Sequence, residues 1–250
     1  MQEPSRQQHT RFFLLRLSGS ILLAAGLIGA SIIIAEGFVR SRQTDRYVTV
    51  KGLSEMEVKA DLAVWNIMFS ATGGDLPAVQ RKIDEDSLDI VRFLTEQGFE
   101  GEEISPGRLR VQDRMSYSSY GEMPLDENRY TITSGLIVRS EKVDLVDRVS
   151  RMTGELVKVG VVMVDDYHGP SFLFTRLNDI KLGMLEEATG NARKAAEQFA
   201  ADSGARLGGI RTANQGVFSI LPRDRTFNAS EESQIFKTVR VVSTVEYFLD

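Results

Sequence analysis

An α+β fold is expected for this chain, with antiparallel sheets, helices packed on one side of them, and one N-terminal transmembrane helix in front. Three observations lead there: stretches of apolar residues alternating with period two, two long segments of helical period each closed by a glycine, and one uncharged apolar run near the start of the 250 residues.

The apolar run comes first. Leu17 to Ala35 is 19 residues without a charge, enough to cross a hydrocarbon core of roughly 30 Å at about 1.5 Å per residue. Arg6, Arg11 and Arg16 precede it, so a cleaved secretory signal is the competing interpretation. The run exceeds the usual apolar region of a cleaved signal, about 7–15 residues, and its small stretch Gly29-Ala30-Ser31 is followed by Ile32-Ile33-Ile34. An uncleaved signal anchor over 17–35 is therefore expected. Arg40, Arg42 and Arg46 nearly balance the arginines before the run. Long domains translocate largely regardless of charge, which tips the expectation toward a cytoplasmic tail at 1–16 and the domain outside. Residues 36–46, rich in Arg, Ser and Gln, read as a linker, and 47–250 as the domain.

Tyr47-Val48-Thr49-Val50 has strand composition, and Gly52-Leu53-Ser54 looks like a hairpin turn. Val58 to Ala71 alternates, with Ala63, Trp65, Ile67 and Phe69 on one face and Asn66 and Ser70 on the other. Asp75 is placed to cap a helix with Pro77 in its first turn, and Val79, Ile83, Ile90 and Leu94 recur at helical spacing until Gly98-Phe99 stops it. Strands follow over Arg108 to Met115 and Tyr130 to Val138, then a short helix over Val143–Met152 and a buried strand over Val157 to Val164. Phe172-Leu173-Phe174 is the next strand. A long helix from Asn178 to Ser203 carries a narrow apolar seam of Ile180, Leu185, Ala188, Ala192, Ala195 and Phe199, with Gly204 as its stop. Leu207 to Ile220 and Phe236 to Leu249 complete the strands. The order strand, strand, helix, strand thus occurs twice, a β-β-α-β pseudo-repeat around the helices ending at Gly98 and Gly204. Trp65, Phe69, Phe172, Phe174 and Phe248 are core candidates, while the polar stretches Asp113 to Asn128 and Pro222 to Gln234 are long loops.

Composition narrows the chemistry. There is no cysteine, which excludes thiol catalysis and thiolate zinc sites. Residues 1–46 carry six arginines against Glu3, Glu36 and Asp45, a charge of +3, so the net −5 leaves −5 − 3 = −8 on the remainder. An acidic domain of this kind argues against nucleic acid, which needs a basic face. His9 and His168 are the only histidines, and no G-x-S-x-G, S-x-x-K, Walker or G-x-G-x-x-G pattern accompanies them. Asp165-Asp166-Tyr167-His168-Gly169 is the one metal-like cluster. With no second cluster to complete a coordination sphere, a plain turn is the expected role. No catalytic, cofactor-binding or metal residue is assigned, and no cofactor is expected.

Several segments in order resemble the SIMPL-domain proteins, the YggE-like group. These are Val48-Thr49-Val50-Lys51-Gly52-Leu53-Ser54, then Glu57 through Ala63, Leu94-Thr95-Glu96-Gln97-Gly98 before Ile104-Ser105, Tyr130-Thr131-Ile132-Thr133 before Leu136-Ile137-Val138, and Ala192-Arg193-Lys194-Ala195-Ala196-Glu197 to Gly204 with Leu207-Gly208. The family's opening pattern, V-x-G-x-G followed by a Pro-Asp-x-A strand, is altered here by Ser54 and Ala60. The resemblance covers nearly all of 47–249. It implies an exported α+β domain of the periplasm or envelope, self-assembly in some members, links to oxidative or envelope stress, and no established catalytic residues. The expectation is thus a single-pass protein of the inner membrane with its domain in the periplasm. Its partners are the bilayer and either further copies of itself or an envelope protein, and its action is non-enzymatic. A small-molecule-binding domain or hydrolase with a cleft near Asp165, Asp166 and His168, or a bitopic component of an envelope secretion or pilus machine, are the alternatives.

Overall fold

The computed structural model describes residues 26–35, 46–117, 128–164, 169–227 and 229–250. Among these no helix is long and apolar enough to cross a membrane. Of the apolar run, residues 26–35 are helical and exposed, and 17–25 lie outside the described residues.

The domain is α+β. Among the described residues ten strands, β1 (Tyr47–Lys59), β2 (Leu62–Gly73), β3 (Ile104–Pro106), β4 (Arg110–Asp113), β5 (Tyr130–Ser140), β6 (Val162–Met163), β7 (Ser171–Leu173), β8 (Leu207–Gln215), β9 (Ser219–Pro222) and β10 (Phe236–Leu249), form two sheets. Among the described residues of the domain four α-helices accompany them: α1 (Leu76–Glu96), α2 (Val143–Ser150), α3 (Gly154–Lys158) and α4 (Leu177–Asp202). By internal contacts the chain divides into one unit of residues 53–188 and 216–242 and another of 1–52, 189–215 and 243–250.

The larger unit is built on β2. Its odd residues Ala63, Trp65, Ile67 and Phe69 are buried, and β5 runs antiparallel beside it from Ala63↔Ser140 to Gly73↔Tyr130. Val79, Ile83, Ile90 and Leu94 of α1, with Val143, Val146 and Val149 of α2, pack on that face. Burial of a row of this kind, at about 25 cal/mol per Å² of apolar surface, is the main stabilising term. Asp75 caps α1 by accepting from the Ala78 N–H at 3.1 Å. Gly98 ends it with φ +101°, and the Phe99 N–H reaches the Leu94 carbonyl at 3.1 Å. Gly160 and Gly204, also at positive φ, end α3 and α4 with the same bond one residue on, from Val161 to Leu156 and from Ala205 to Ala200. A second cluster of this unit joins Met184 and Ala188 of α4 to Val239 and Val241 of β10. The core of the smaller unit joins Ala192 and Ala196 of α4 to Val50, Val245 and Tyr247.

Three expectations are corrected. Gly52-Leu53-Ser54 is no turn: β1 runs straight through it with Val50, Gly52 and Ser54 inward, and the chain turns instead at Ala60-Asp61. Val157 to Val164 is no buried strand. Its inward residues are Leu156 and Val161, at helix-stop spacing, while Val157, Val159 and Val162 are exposed and only Val162–Met163 pairs with β2. In α4 the buried line is Met184, Ala188, Ala192, Ala196 and Ala200, a strict four-residue step that leaves Phe199 exposed.

The pseudo-repeat is present in the topology, with one exchange. After α1, β3 and β4 form one interrupted strand along β5, and after α4, β8 and β9 do the same along β10. Pro106↔Leu136 and Arg110↔Thr133 put three residues, 107–109, opposite two, 134–135. Gln215↔Ser243 and Ser219↔Arg240 put 216–218 opposite 241–242. Both one-residue bulges open with a glycine bonded to the central strand, Gly107 N–H to Gly135 O at 2.8 Å and Gly216 N–H to Val242 O at 2.9 Å. The exchange concerns the third strand: β2 flanks β5, but β10 is flanked by β1 and not by β7, which pairs with β2.

Candidate functional site

β2 is long because its odd face is apolar throughout, whereas the strand on its outer edge is short and broken. Below the break the Val164 N–H bonds to Met68 O at 2.9 Å, continuing β6. Above it, Ser171 stands opposite Val64 and Leu173 opposite Leu62. Six residues, 165–170, therefore span a length that β2 covers with three, Trp65, Asn66 and Ile67. The Phe172 N–H points away from β2, to Glu232 O at 2.8 Å, so the even residues of β2 face this edge. Asn66 is the even residue of β2 that stands opposite this stretch.

A cavity of about 420 Å³ lies at this break. Trp65, the only tryptophan of the chain, Phe172 and Met163 supply apolar wall, and Asn66 lines it from the strand. Ser150, Arg151 and Thr153 border it from the end of α2 and the turn beyond, with Asp147 one helical turn earlier. Asp147 accepts from Arg151 at 2.7 Å, which holds the guanidinium above its ordinary pKa. This is the size of a small-ligand site, and polar groups line it as much as apolar ones.

The metal-like cluster expected from the sequence borders this place. Asp165, Asp166, Tyr167 and His168 lie outside the described residues, but Val164 and Gly169 on either side of them line the cavity. Among the described residues no group of three or more His, Asp or Glu side chains is placed to hold a metal ion. Of the aromatic core candidates, Trp65, Phe69 and Phe172 are buried, while Phe174 and Phe248 are half-buried. Asn228, in a glycosylation-like triplet, lies outside the described residues.

A second place, not anticipated, is a charged hollow at the ends of β1, β5 and β7. Asp61 forms its floor. One carboxylate oxygen accepts from the Thr175 N–H at 2.9 Å and hydroxyl at 3.0 Å, the other from the Arg176 N–H at 3.1 Å and Nε at 3.2 Å. Burial alone would raise the Asp61 pKa, but these bonds outweigh it and hold the carboxyl below its ordinary value. Around it Lys59 pairs with Asp144, and Lys142 with Glu100 and Glu103. Such paired charges fasten chain ends together, leaving Arg139 and Glu141 without an ion pair among the described residues. The hollow is thus chiefly structural. Lys237 is a further surprise: it is fully buried on the inward face of β10, donating to the Glu231 carbonyl. Its desolvation depresses the pKa, against the opposing pull of Glu231 and Glu232. Extending the alternation Val239, Val241, Ser243 backward by one step would have placed it inside.

The outer edge of β8 is the third feature. β8 pairs only with β10 among the described residues, and its residues 209–215 are all exposed.

A family model described as SIMPL, a protein of unknown function (DUF541), matches residues 48–247. No curated protein matches the chain. Among solved structures, an uncharacterized conserved protein from Listeria innocua is 13% identical over 75% of this chain and 91% of its own, with a TM-score of 0.20. A hydrolase from Listeria innocua is 11% identical over 79% of this chain and 92% of its own, with a TM-score of 0.19. At such scores neither likeness carries an argument about fold or activity.

Proposed function

This chain belongs to the SIMPL family, and on that footing we propose that it is an interaction module of the cell envelope. In this proposal the apolar run Leu17–Ala35 anchors it in the inner membrane and the domain lies in the periplasm. It acts without catalysis, by self-association or by binding an envelope partner under envelope or oxidative stress. The observation that supports association is the outer edge of β8, which has no strand partner among the described residues. Sheet edges are ordinarily blunted by lysine, proline or cover. Over residues 209–215 β8 has neither Lys nor Pro, its one charge is Arg211, and that arginine sits 3.7 Å from Glu246 of the neighbouring strand. A second copy adding its own β8 would satisfy the open N–H and C=O groups.

The test follows from the ladder. Gly216 donates toward β10, so by alternation Thr212 and Asn214 do too, and the Ala213 N–H points to the free side. Ala213→Pro removes an outward donor without touching the β10 bonds, a place where an edge strand tolerates proline. By light scattering the full chain is expected to exceed monomer mass, and A213P to fall toward monomer with an unfolding midpoint near the parent's. A monomeric parent at high concentration, or an A213P protein of parental size, overturns association through this edge. Placement is tested by a reporter fused after Asp250: activity confined to the cytoplasm overturns the periplasmic assignment.

The cavity at the break in β2's edge supports a second reading, a small-ligand-binding role, because it is formed beside the segment holding Asp165, Asp166 and His168.

A further inference from the structure

The ion pairs that fasten the charged hollow leave charge over. Asp61 is saturated by Thr175 and Arg176 and its side chain is only 9% exposed, so it makes a fixed floor. Its bond to the Arg176 Nε leaves that arginine's two terminal nitrogens uncommitted among the described residues. Arg139, near the end of β5, and Glu141, just past it, line the same hollow without an ion pair to each other or to another described residue. The hollow measures about 570 Å³ and shares Asp61, Glu141 and Arg176 with an adjoining one of about 400 Å³. All of these residues belong to one unit of the chain, and none is next in sequence to a stretch outside the described residues.

We propose that this hollow binds a small zwitterion, a free α-amino acid, with its carboxylate on Arg139 and the outer nitrogens of Arg176 and its ammonium on Glu141. The presence of both signs decides against simpler ligands. A plain anion would meet Glu141 and Asp61 beside the arginines, and a plain cation would meet two guanidiniums beside Glu141. An amino acid carries both signs about 2.5 Å apart, short enough for the two ends to be matched at once. A guanidinium suits its carboxylate because the planar fork can give two parallel N–H bonds. Leu62 in this hollow and Leu145 in the adjoining one give an aliphatic side chain a surface to rest on. Because Arg139 and Glu141 are exposed, each contact is screened by water and salt, and the binding is modest in strength. The inference is independent of self-association through β8.

Calorimetric titration of the full chain with L-leucine tests this. The comparisons are N-acetyl-leucine, which lacks the ammonium, and leucinamide, which lacks the carboxylate. Saturable heat at or below roughly millimolar leucine is expected, with binding of both analogues weaker by about tenfold or more. Arg139→Gln and Glu141→Gln are each expected to weaken leucine binding by about tenfold or more. Their unfolding temperatures should stay at the parental value, since neither side chain is buried or paired among the described residues. Absence of saturable leucine binding overturns the proposal. So does equal affinity for leucine and either analogue, or parental binding by a folded R139Q or E141Q protein.

Discussion

Asp61→Asn tests the account of the charged hollow most sharply, because Asp61 is both the acid of the family's second-strand pattern and the acceptor of four hydrogen bonds. The amide retains one carbonyl oxygen, so the two bonds from Thr175 survive in one orientation. The two at the other oxygen, from the Arg176 N–H and Nε, are lost and replaced by an N–H facing donors. A main-chain donor left without its charged acceptor costs about 1–2 kcal/mol. The Arg176 side chain is 70% exposed, so its share is discounted to below about 1 kcal/mol. The sum is about 2 kcal/mol, which for a domain of this size lowers Tm by about 4–8 °C. The dependence on pH has a definite sign. The folded pKa of Asp61 lies below its ordinary value, so its stabilisation is present above the unfolded pKa, about 3.9, and fades as pH falls through the folded one. Denaturant titrations of parent and variant from pH 7 to pH 3 should show the full gap at neutrality and a narrowing gap below about pH 4. A variant within about 0.5 kcal/mol of the parent at pH 7 would refute the assignment of Asp61 as an anchoring acceptor, as would a gap that does not change with acid.

Lys237→Met is expected to leave stability at pH 7 equal or higher, since a buried charge is exchanged for an apolar group of similar length. The depressed folded pKa of Lys237 means that its cost is full below that pKa and is relieved as pH rises toward the unfolded value, so the parent should gain on K237M between pH 7 and pH 10 in denaturant melts. Gly216→Ala would put a Cβ 2.4 Å from the Val242 carbonyl oxygen, and Gly107→Ala one 2.9 Å from that of Gly135. Chemical denaturation should show a loss of about 1–3 kcal/mol for G216A, less for G107A, and none beyond the error for Gly209→Ala, where nothing lies within 4 Å.

The elements written in side-chain periodicity were legible beforehand. α1 was readable from its cap at Asp75, its apolar spacing and its glycine stop, and β2 and β10 from alternation, because each repeats one local preference over many residues. Short segments misled. Valines at 157, 159 and 162 look like a strand, yet the main-chain bond from Val161 to Leu156 closes a one-and-a-half-turn helix and turns those valines outward. The candidate sites were the least legible. The cavity beside Asn66 lies where β6 and β7 meet β2 in registers three residues out of step, and register between distant segments leaves no mark on the residues it brings together.

The order of residues alone therefore determined the class of fold, the doubled helix-and-strand order, the SIMPL affiliation that the family match bears out, and the acidic balance of the domain. These follow from local periodicity, from glycine stops and from charge, which need no knowledge of distant contacts. Tertiary structure decided the rest: that β1 and not β7 flanks β10, that Asp61 receives the chain before α4, and that Lys237 lies inside. It also decided that a cavity lies where β6 gives way to β7 along β2. The strand order and the bonds of Asp61 depend on segments more than a hundred residues apart coming together, a cooperative choice made by burial and hydrogen bonding over the whole sheet rather than by any one stretch of chain.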